Sequence, residues 1–329
     1  NFYPIETAKA SNSKWRPVGL GIMGLQDTFF QLKLAFDSKE AKELSRKISE
    51  EVYFHAISTS CDLAEKNGPH ENFAETRAAK GQLQFDLWGV TPSQPARWTA
   101  LKERVKKFGL RNSLMIAIAP TATIASMVGC YEATEPQVSN LFKRETLSGE
   151  FLQINKYLVT ELKALGLWNE ELRNEIKIAE GSIQNIAAIP QTLKDIFRTV
   201  WEVPMKTLIE LGADRGAYID QSQSLNLFME SPTIGKLSSM YMYAWKQGLK
   251  TTYYLRSRPA TSISKTTVKK SSSSLAAATT LSSGFDASGI SSAVGTVEAI
   301  PVAPIGKTYT EAEVLACSLE NPEACEACQ

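Results

Sequence analysis

Ser113-Leu-Met-Ile-Ala-Ile-Ala119, followed directly by Pro120-Thr-Ala-Thr-Ile-Ala125, is the stretch on which the fold turns. The first seven residues form a continuous apolar run with no polar alternation. Such a run predicts a strand covered on both faces, as in a parallel sheet. The proline and threonines then predict the start of a helix at the carboxyl end of that strand. α/β proteins place their ligands there. Free N–H groups at a helix start attract anions, and Thr121 and Thr123 add hydroxyl donors. The residues alone leave two readings open: a phosphate-holding loop, or a threonine that merely caps its own helix.

Working outward, the segments on either side supply the helices and strands such a sheet requires. Asp37-Ser-Lys-Glu40 has capping-box spacing and opens a long helix with Leu44, Ile48, Val52 and Ala56 on one stripe. Asn67-Gly68-Pro69 ends it. Cys61 falls near its end as a core or half-buried thiol, and His55 reads as a helix residue, not a ligand. Gly19-Leu-Gly21-Ile-Met-Gly24 matches G-X-G-X-X-G, but the polar, proline-broken stretch before it lacks the strand a dinucleotide loop needs. These glycines therefore predict close packing of backbone on a neighbour. Residues 69–95 are rich in loop formers, and residues 98–108 predict a short helix ended by Gly109.

Downstream, helical periodicity covers residues 151–165, 169–178 and 190–212, with Gly212-Ala-Asp-Arg-Gly216 as the break after the last. Ala217-Tyr-Ile-Asp-Gln221 predicts a short strand and Ser222-Gln-Ser224 a polar turn. Residues 237–247 predict a helix ended by Gly248, and Thr251-Thr-Tyr253-Tyr254-Leu-Arg256 a last strand. Neighbouring side chains in a strand point to opposite faces. Tyr253 and Tyr254 thus predict one core ring and one surface ring, unless a bend brings them together. Stacked phenols can pass an electron and a proton between them.

The chain closes on Cys317-Ser-Leu-Glu-Asn-Pro-Glu-Ala-Cys325-Glu-Ala-Cys328-Gln329. Before it, from about Ser271 to Thr310, lies a Ser/Ala/Thr/Gly-rich segment. It is too poor in large apolar residues to offset the entropy of ordering it. Cys-X-X-Cys spacing suits a redox pair, since neighbouring thiols attack one another. Cys317, Cys325 and Cys328 would make three zinc ligands, but a closed site wants four, and His55 and His70 are remote in sequence. A tail with incidental cysteines is the third reading.

The chain has 329 residues, 43 % hydrophobic and 22 % charged, a globular composition. A net charge of +1 supplies no field for nucleic acid or anionic lipid. No apolar run reaches membrane-spanning length, no signal peptide is evident, and the five cysteines are not a secreted disulfide framework. A cytoplasmic protein is expected. The chain opens Asn1-Phe-Tyr-Pro, without Met, as a fragment would.

In this order, several stretches resemble the C-terminal part of the large, catalytic subunit of class I ribonucleoside-diphosphate reductase. They are Trp15-Arg-Pro-Val-Gly-Leu-Gly21, Gln82-Leu-Gln-Phe-Asp-Leu-Trp88, Arg111-Asn-Ser-Leu114, Pro120-Thr-Ala-Thr123 and Leu147-Ser-Gly-Glu-Phe151. Further on come Arg215-Gly-Ala-Tyr-Ile-Asp-Gln-Ser-Gln-Ser-Leu-Asn226, Gly248-Leu-Lys-Thr-Thr-Tyr-Tyr-Leu-Arg256 and Cys317-Ser-Leu-Glu-Asn321 with its Cys-X-X-Cys. The resemblance implies an α/β fold, the C-terminal half of a ten-stranded α/β barrel with a disordered C-terminal tail. It divides the chain into residues 1–268 (barrel), 269–314 (flexible linker) and 315–329 (redox-active tail).

It also implies roles. Thr121, Ala122, Thr123 and Ile124 would hold the substrate diphosphate. Tyr253 and Tyr254 would relay a radical from the small subunit. Cys325 and Cys328 would re-reduce the active site and be reduced by thioredoxin or glutaredoxin. A linker of about 45 residues spans roughly 35–40 Å, enough to reach a cleft and return. No metal or cofactor is expected on this segment, since the radical comes from a metal-containing small subunit. Large subunits of this family self-associate. The family's thiyl cysteine and its allosteric nucleotide sites lie upstream of these motifs; Cys61 and Cys130 match none of them. This chain is therefore expected not to reduce nucleotides by itself. Two alternatives remain: a fragment of an adenosylcobalamin-dependent reductase, which needs no tyrosine relay, or a non-enzymatic zinc-tail interaction module.

Overall fold

Parallel backbone pairing runs through the middle of the molecule, and the computed structural model describes it within residues 2–146 and 149–258. Four extended segments lie side by side in chain order. Residues 18–20 pair with 114–118: Leu20 N donates to Met115 O (2.7 Å), and Ala117 N donates to Leu20 O (2.9 Å). On the other side, Ile118 N donates to Ser222 O (3.1 Å), and Ser224 N donates to Ile118 O (2.8 Å). The chain continues into β3 (Leu227–Phe228), which pairs in parallel with β4 (Leu255–Arg256). Parallel neighbours need crossovers, and helices provide them. The expected strand at 113–119 is thus an interior member of a parallel array. Met115, Ile116 and Ile118 are buried, while Leu114 and Ala119 at its ends are exposed.

The first crossover carries α1 (Glu6–Trp15) before it, then α2 (Leu25–Gln31), α3 (Lys39–Asn67), α4 (Gln84–Leu87) and α5 (Pro95–Phe108). Helix α3 is N-capped by Ser38, whose hydroxyl accepts from Ala41 N (3.1 Å), one residue later than the expected capping box. Asp37 instead pairs with Arg198. Its core stripe is Ala41, Ser45, Ser49, Tyr53, Ile57 and Cys61, and the expected stripe of Leu44, Ile48, Val52 and Ala56 is only half-buried beside it. Leu44 and Ile48 pack from the side on the apolar cluster to which α10 (Met205–Gly216) contributes, and Val52 and Ala56 on the one shared with α5.

The second crossover contains α6 (Ala122–Val128), a hairpin of β1 (Leu141–Thr146) and β2 (Gly149–Ile154), then α7 (Lys156–Ala164), α8 (Glu170–Ile178), α9 (Gln191–Ile196) and α10. Four sequence expectations change here. The helix expected from residue 151 begins at Lys156, because the preceding residues pair as strand and Asn155 caps the helix, accepting from Tyr157 N (3.0 Å). The helix expected over 190–212 is two helices, parted before Pro204, whose ring cannot supply a backbone donor. Gly212 does not end α10; a Cβ there would stand 3.0 Å from a Leu225 methyl, so glycine serves close packing inside the helix. Residues 217–221 form a turn with Tyr218 and Ile219 buried, and the polar 222–224 form the extended pairing instead. Gln223 fits there because its amide donates to Gly212 O (2.6 Å).

The last crossover is α11 (Ile234–Lys246), capped by Thr233 and followed by Gly248 in a left-handed turn. Three apolar clusters flank the array. One joins α2, α10, α11 and the Leu225–Phe228 strand. A second joins the middle of α3, Phe85, α5 and Met115–Ile118. The third is built by α7, α8 and Phe197. The expected linker at 269–314 and tail at 315–329, with Cys317, Cys325 and Cys328, lie outside the described residues.

Candidate functional site

The interior strand ends at Pro120, and Thr121 turns the chain into α6 with φ +60°, the left-handed region that a β-branched residue rarely enters. Its hydroxyl does not cap α6. It accepts instead from the buried Ala133 N (2.9 Å). The simple N-cap reading therefore fails on geometry, and no side chain caps this helix start. Ala122, Thr123 and Ile124 are exposed around it. A cavity of about 480 Å³ meets the other end of α6 at Ser126, Gly129 and Cys130, and is lined further by Lys156, Glu135 and Arg256. Residues 121–124 are not among its lining residues.

The glycine motif at 19–24 performs the packing expected of it. A Cβ on Gly21 would stand 2.5 Å from the carbonyl oxygen of Ala117. Gly24, at φ +80°, turns the chain into α2 beside Cys130. Cys130 is half-buried, and burial pushes its thiol pKa up. Cys61 is fully buried in the second cluster and its pKa is likewise pushed up. Among the described residues, no group of three or more His, Cys, Asp or Glu could hold a metal ion.

Two residues beyond Ala133, Glu135 connects this loop to the last strands. Its Oε1 accepts from Asn226 N (3.1 Å), and Asn226 Oδ1 accepts from Tyr254 N (3.1 Å). Burial raises the Glu135 pKa against the opposing pull of Asn226 and Arg256. Tyr253 and Tyr254 do not point to opposite faces. Their ring centroids are 4.1 Å apart at 48°, and the Tyr253 hydroxyl donates to the Tyr254 oxygen at 3.3 Å. That hydrogen bond and the electrostatic interaction with Tyr254 beside it raise the Tyr253 pKa. Both rings are about half exposed. The structure thus joins the Thr121 loop to the tyrosine pair through Ala133, Glu135 and Asn226. Sequence reasoning did not single out these three. Only Asn226 carried a signal, as the last residue of a matching motif.

Comparison with known proteins places this geometry in a family. The family model described as the ribonucleotide reductase barrel domain matches residues 1–255. The chain belongs to the ribonucleotide reductase barrel-domain family. It is 44 % identical over 330 residues to the ribonucleoside-diphosphate reductase large chain of Schizosaccharomyces pombe, covering 100 % of this chain and 40 % of that protein. It is 43 % identical over 329 residues to the large subunit of Arabidopsis thaliana, covering 100 % of this chain and 38 % of that protein. To the Caenorhabditis elegans large subunit it is 47 % identical over 271 residues, 82 % of this chain and 34 % of that protein. The chain thus spans well under half the length of these relatives. A solved structure, the alpha subunit of the Actinobacillus ureae class Id ribonucleotide reductase, superposes with a TM-score of 0.60. The identity there is 26 %, over 75 % of this chain and 40 % of that one. The large-subunit resemblance read from the motifs agrees with all of these. In this reductase family the α/β barrel accounts for the parallel array in chain order.

Proposed function

We propose that the chain forms part of the catalytic subunit of a ribonucleoside-diphosphate reductase, which converts ribonucleoside diphosphates to 2′-deoxyribonucleoside diphosphates by radical chemistry. The observation that carries this reading is the phenol pair, tilted against each other with centroids 4.1 Å and hydroxyls 3.3 Å apart, in a chain of this family. Tyr253 donates its hydrogen bond to Tyr254. If Tyr254 has lost a hydrogen atom, Tyr253 can deliver its proton along that bond and its electron across the adjacent rings. The O–H bond of Tyr253 breaks, that of Tyr254 re-forms, and the radical has moved one residue with no change in charge. A phenol is protonated at neutral pH, so Tyr253 holds the proton it would donate.

In this reading Thr121, Ala122, Thr123 and Ile124 hold the substrate diphosphate at the uncapped start of α6. The parallel array is the C-terminal half of a ten-stranded barrel. Cys325 and Cys328 re-reduce the active site and exchange with thioredoxin or glutaredoxin. A small subunit supplies the radical, large subunits associate with each other, and the enzyme works in the cytoplasm without a metal or cofactor on this segment. Among the described residues, no helix is long and apolar enough to cross a membrane.

The test is substitution in the complete catalytic subunit assayed with its small subunit. Tyr253→Phe and Tyr254→Phe keep the paired rings and remove the transferable hydrogen. Each is expected to reduce turnover by at least a hundredfold while diphosphate binding stays within twofold. Turnover near wild type in either variant overturns the relay.

A further inference from the structure

The pairing of the last two strands contains an irregularity that explains why adjacent tyrosines share a side. In a regular parallel ladder, one residue both donates to the neighbouring strand and accepts from it two residues further on. Here those two bonds belong to different residues. Tyr253 N donates to Leu225 O (2.8 Å), whereas Leu227 N donates to Tyr254 O (2.8 Å). Tyr253 and Tyr254 together therefore stand opposite the single residue Asn226. This is a one-residue bulge. The extra residue resets the period-2 alternation, so the second ring falls beside the first. Beyond it, regular pairing resumes at Leu227 with Leu255.

A bulge leaves one amide outside the ladder, and a hydrogen bond must be found for it. That amide is Tyr254 N, and Asn226 Oδ1 receives it at 3.1 Å. Asn226 is 4 % exposed, so water offers little substitute. Its own N–H is directed to the Glu135 carboxylate, which fixes the Asn226 peptide from the other side. Asparagine suits the position because its short side chain carries an uncharged acceptor across one strand spacing. An aspartate would reach equally far, with a second negative charge near Glu135.

We propose that Asn226 is a positioning residue for radical transfer: its side-chain carbonyl stabilises the bulge that brings the Tyr253 and Tyr254 rings side by side. This rests on the relay reading given above. The experiment uses the complete catalytic subunit with its small subunit and compares Asn226→Leu, Asn226→Ala and Asn226→Asp, with Tyr254→Phe as reference. Leu and Ala remove the acceptor with and without retained volume, so a folding defect in one leaves the other informative. Both are expected to lower kcat at least tenfold with KM within twofold. Asn226→Asp, which keeps the acceptor, is expected to retain kcat within about threefold. Crystal structures of the Leu or Ala variant should show the ring centroids separated beyond stacking distance.

A residue that only supported the fold would lower the yield of active protein or Tm, without this split between kcat and KM and without rescue by Asp. The inference is overturned if Leu and Ala variants turn over within twofold of wild type, if their rings keep the 4.1 Å centroid separation, or if Asp is as impaired as Leu. An active Tyr254→Phe enzyme would mean instead that the relay reading itself had failed. An inactive Tyr254→Phe beside a fully active Asn226→Leu would sink only the role of Asn226.

Discussion

At Gly21 the lack of a side chain is a geometric requirement. The parallel pairing of 18–20 with 114–118 brings the Ala117 carbonyl to 2.5 Å from where a Cβ would be, and both partners are backbone. Gly21→Ala should part the two segments and cost about 1–3 kcal/mol, the usual range for overpacking. A urea-unfolding midpoint equal to wild type would refute this. Glycine spacing made the close approach legible, because only backbone contact demands it. The tyrosine pair was not legible in the same way. Alternation along a strand predicts opposed rings. The bulge that defeats it depends on Asn226 and Glu135, which are distant in sequence from Tyr254 and joined to it only by the fold.

Helices whose signals are local were readable, and those whose limits are set by partners were not. The start of α3 shows both. The Asp37–Glu40 spacing predicts a cap at Asp37, and the cap forms one residue on, where Ser38 Oγ accepts from Ala41 N. Ser38→Ala should therefore lower thermal stability by about 1 kcal/mol, typical of a lost N-cap. Differential scanning calorimetry checks it, and an unchanged Tm would show that Asp37 or water takes over the cap. The buried face of the same helix was misplaced by one position. Composition favours Leu44 and Ile48 as core, yet Ser45 and Ser49 are the buried positions, and Arg215 Nη1 of α10 donates to Ser45 Oγ at 3.3 Å. At residues 151–154 apolar periodicity resembled a helix, and strand pairing with residues 141–144 prevailed. The place of the Thr121 turn, at a helix start directly after a buried strand, was legible. The left-handed Thr121 and its bond to Ala133 N were not, since nothing local indicates a partner twelve residues away.

For the molecule as a whole, acid sensitivity should centre on His70. Its ring is 2 % exposed, tilted against Trp15 of α1 at 5.8 Å and set edge-on to Phe73 at 5.9 Å. Its backbone N–H donates to Leu110 O (2.9 Å), so three remote segments meet there. Nδ1 has no hydrogen-bond partner. Burial lowers the His70 pKa below its ordinary value, because a charged imidazolium would have to sit among apolar rings. Between the lowered folded value and about 6.5, the unfolded chain binds more protons than the folded one. Stability therefore rises with pH across that window and is lost as pH falls through it, with a slope of at most about 1.4 kcal/mol per pH unit. His70→Phe keeps the aromatic contacts and removes the titration. Between pH 7 and pH 5 the wild-type chain should lose more unfolding free energy than the variant. Carboxylates elsewhere contribute equally to both proteins, so their effect cancels in the difference. Denaturant titrations at the two pH values measure it directly, and parallel pH profiles would show that His70 can charge without leaving the core.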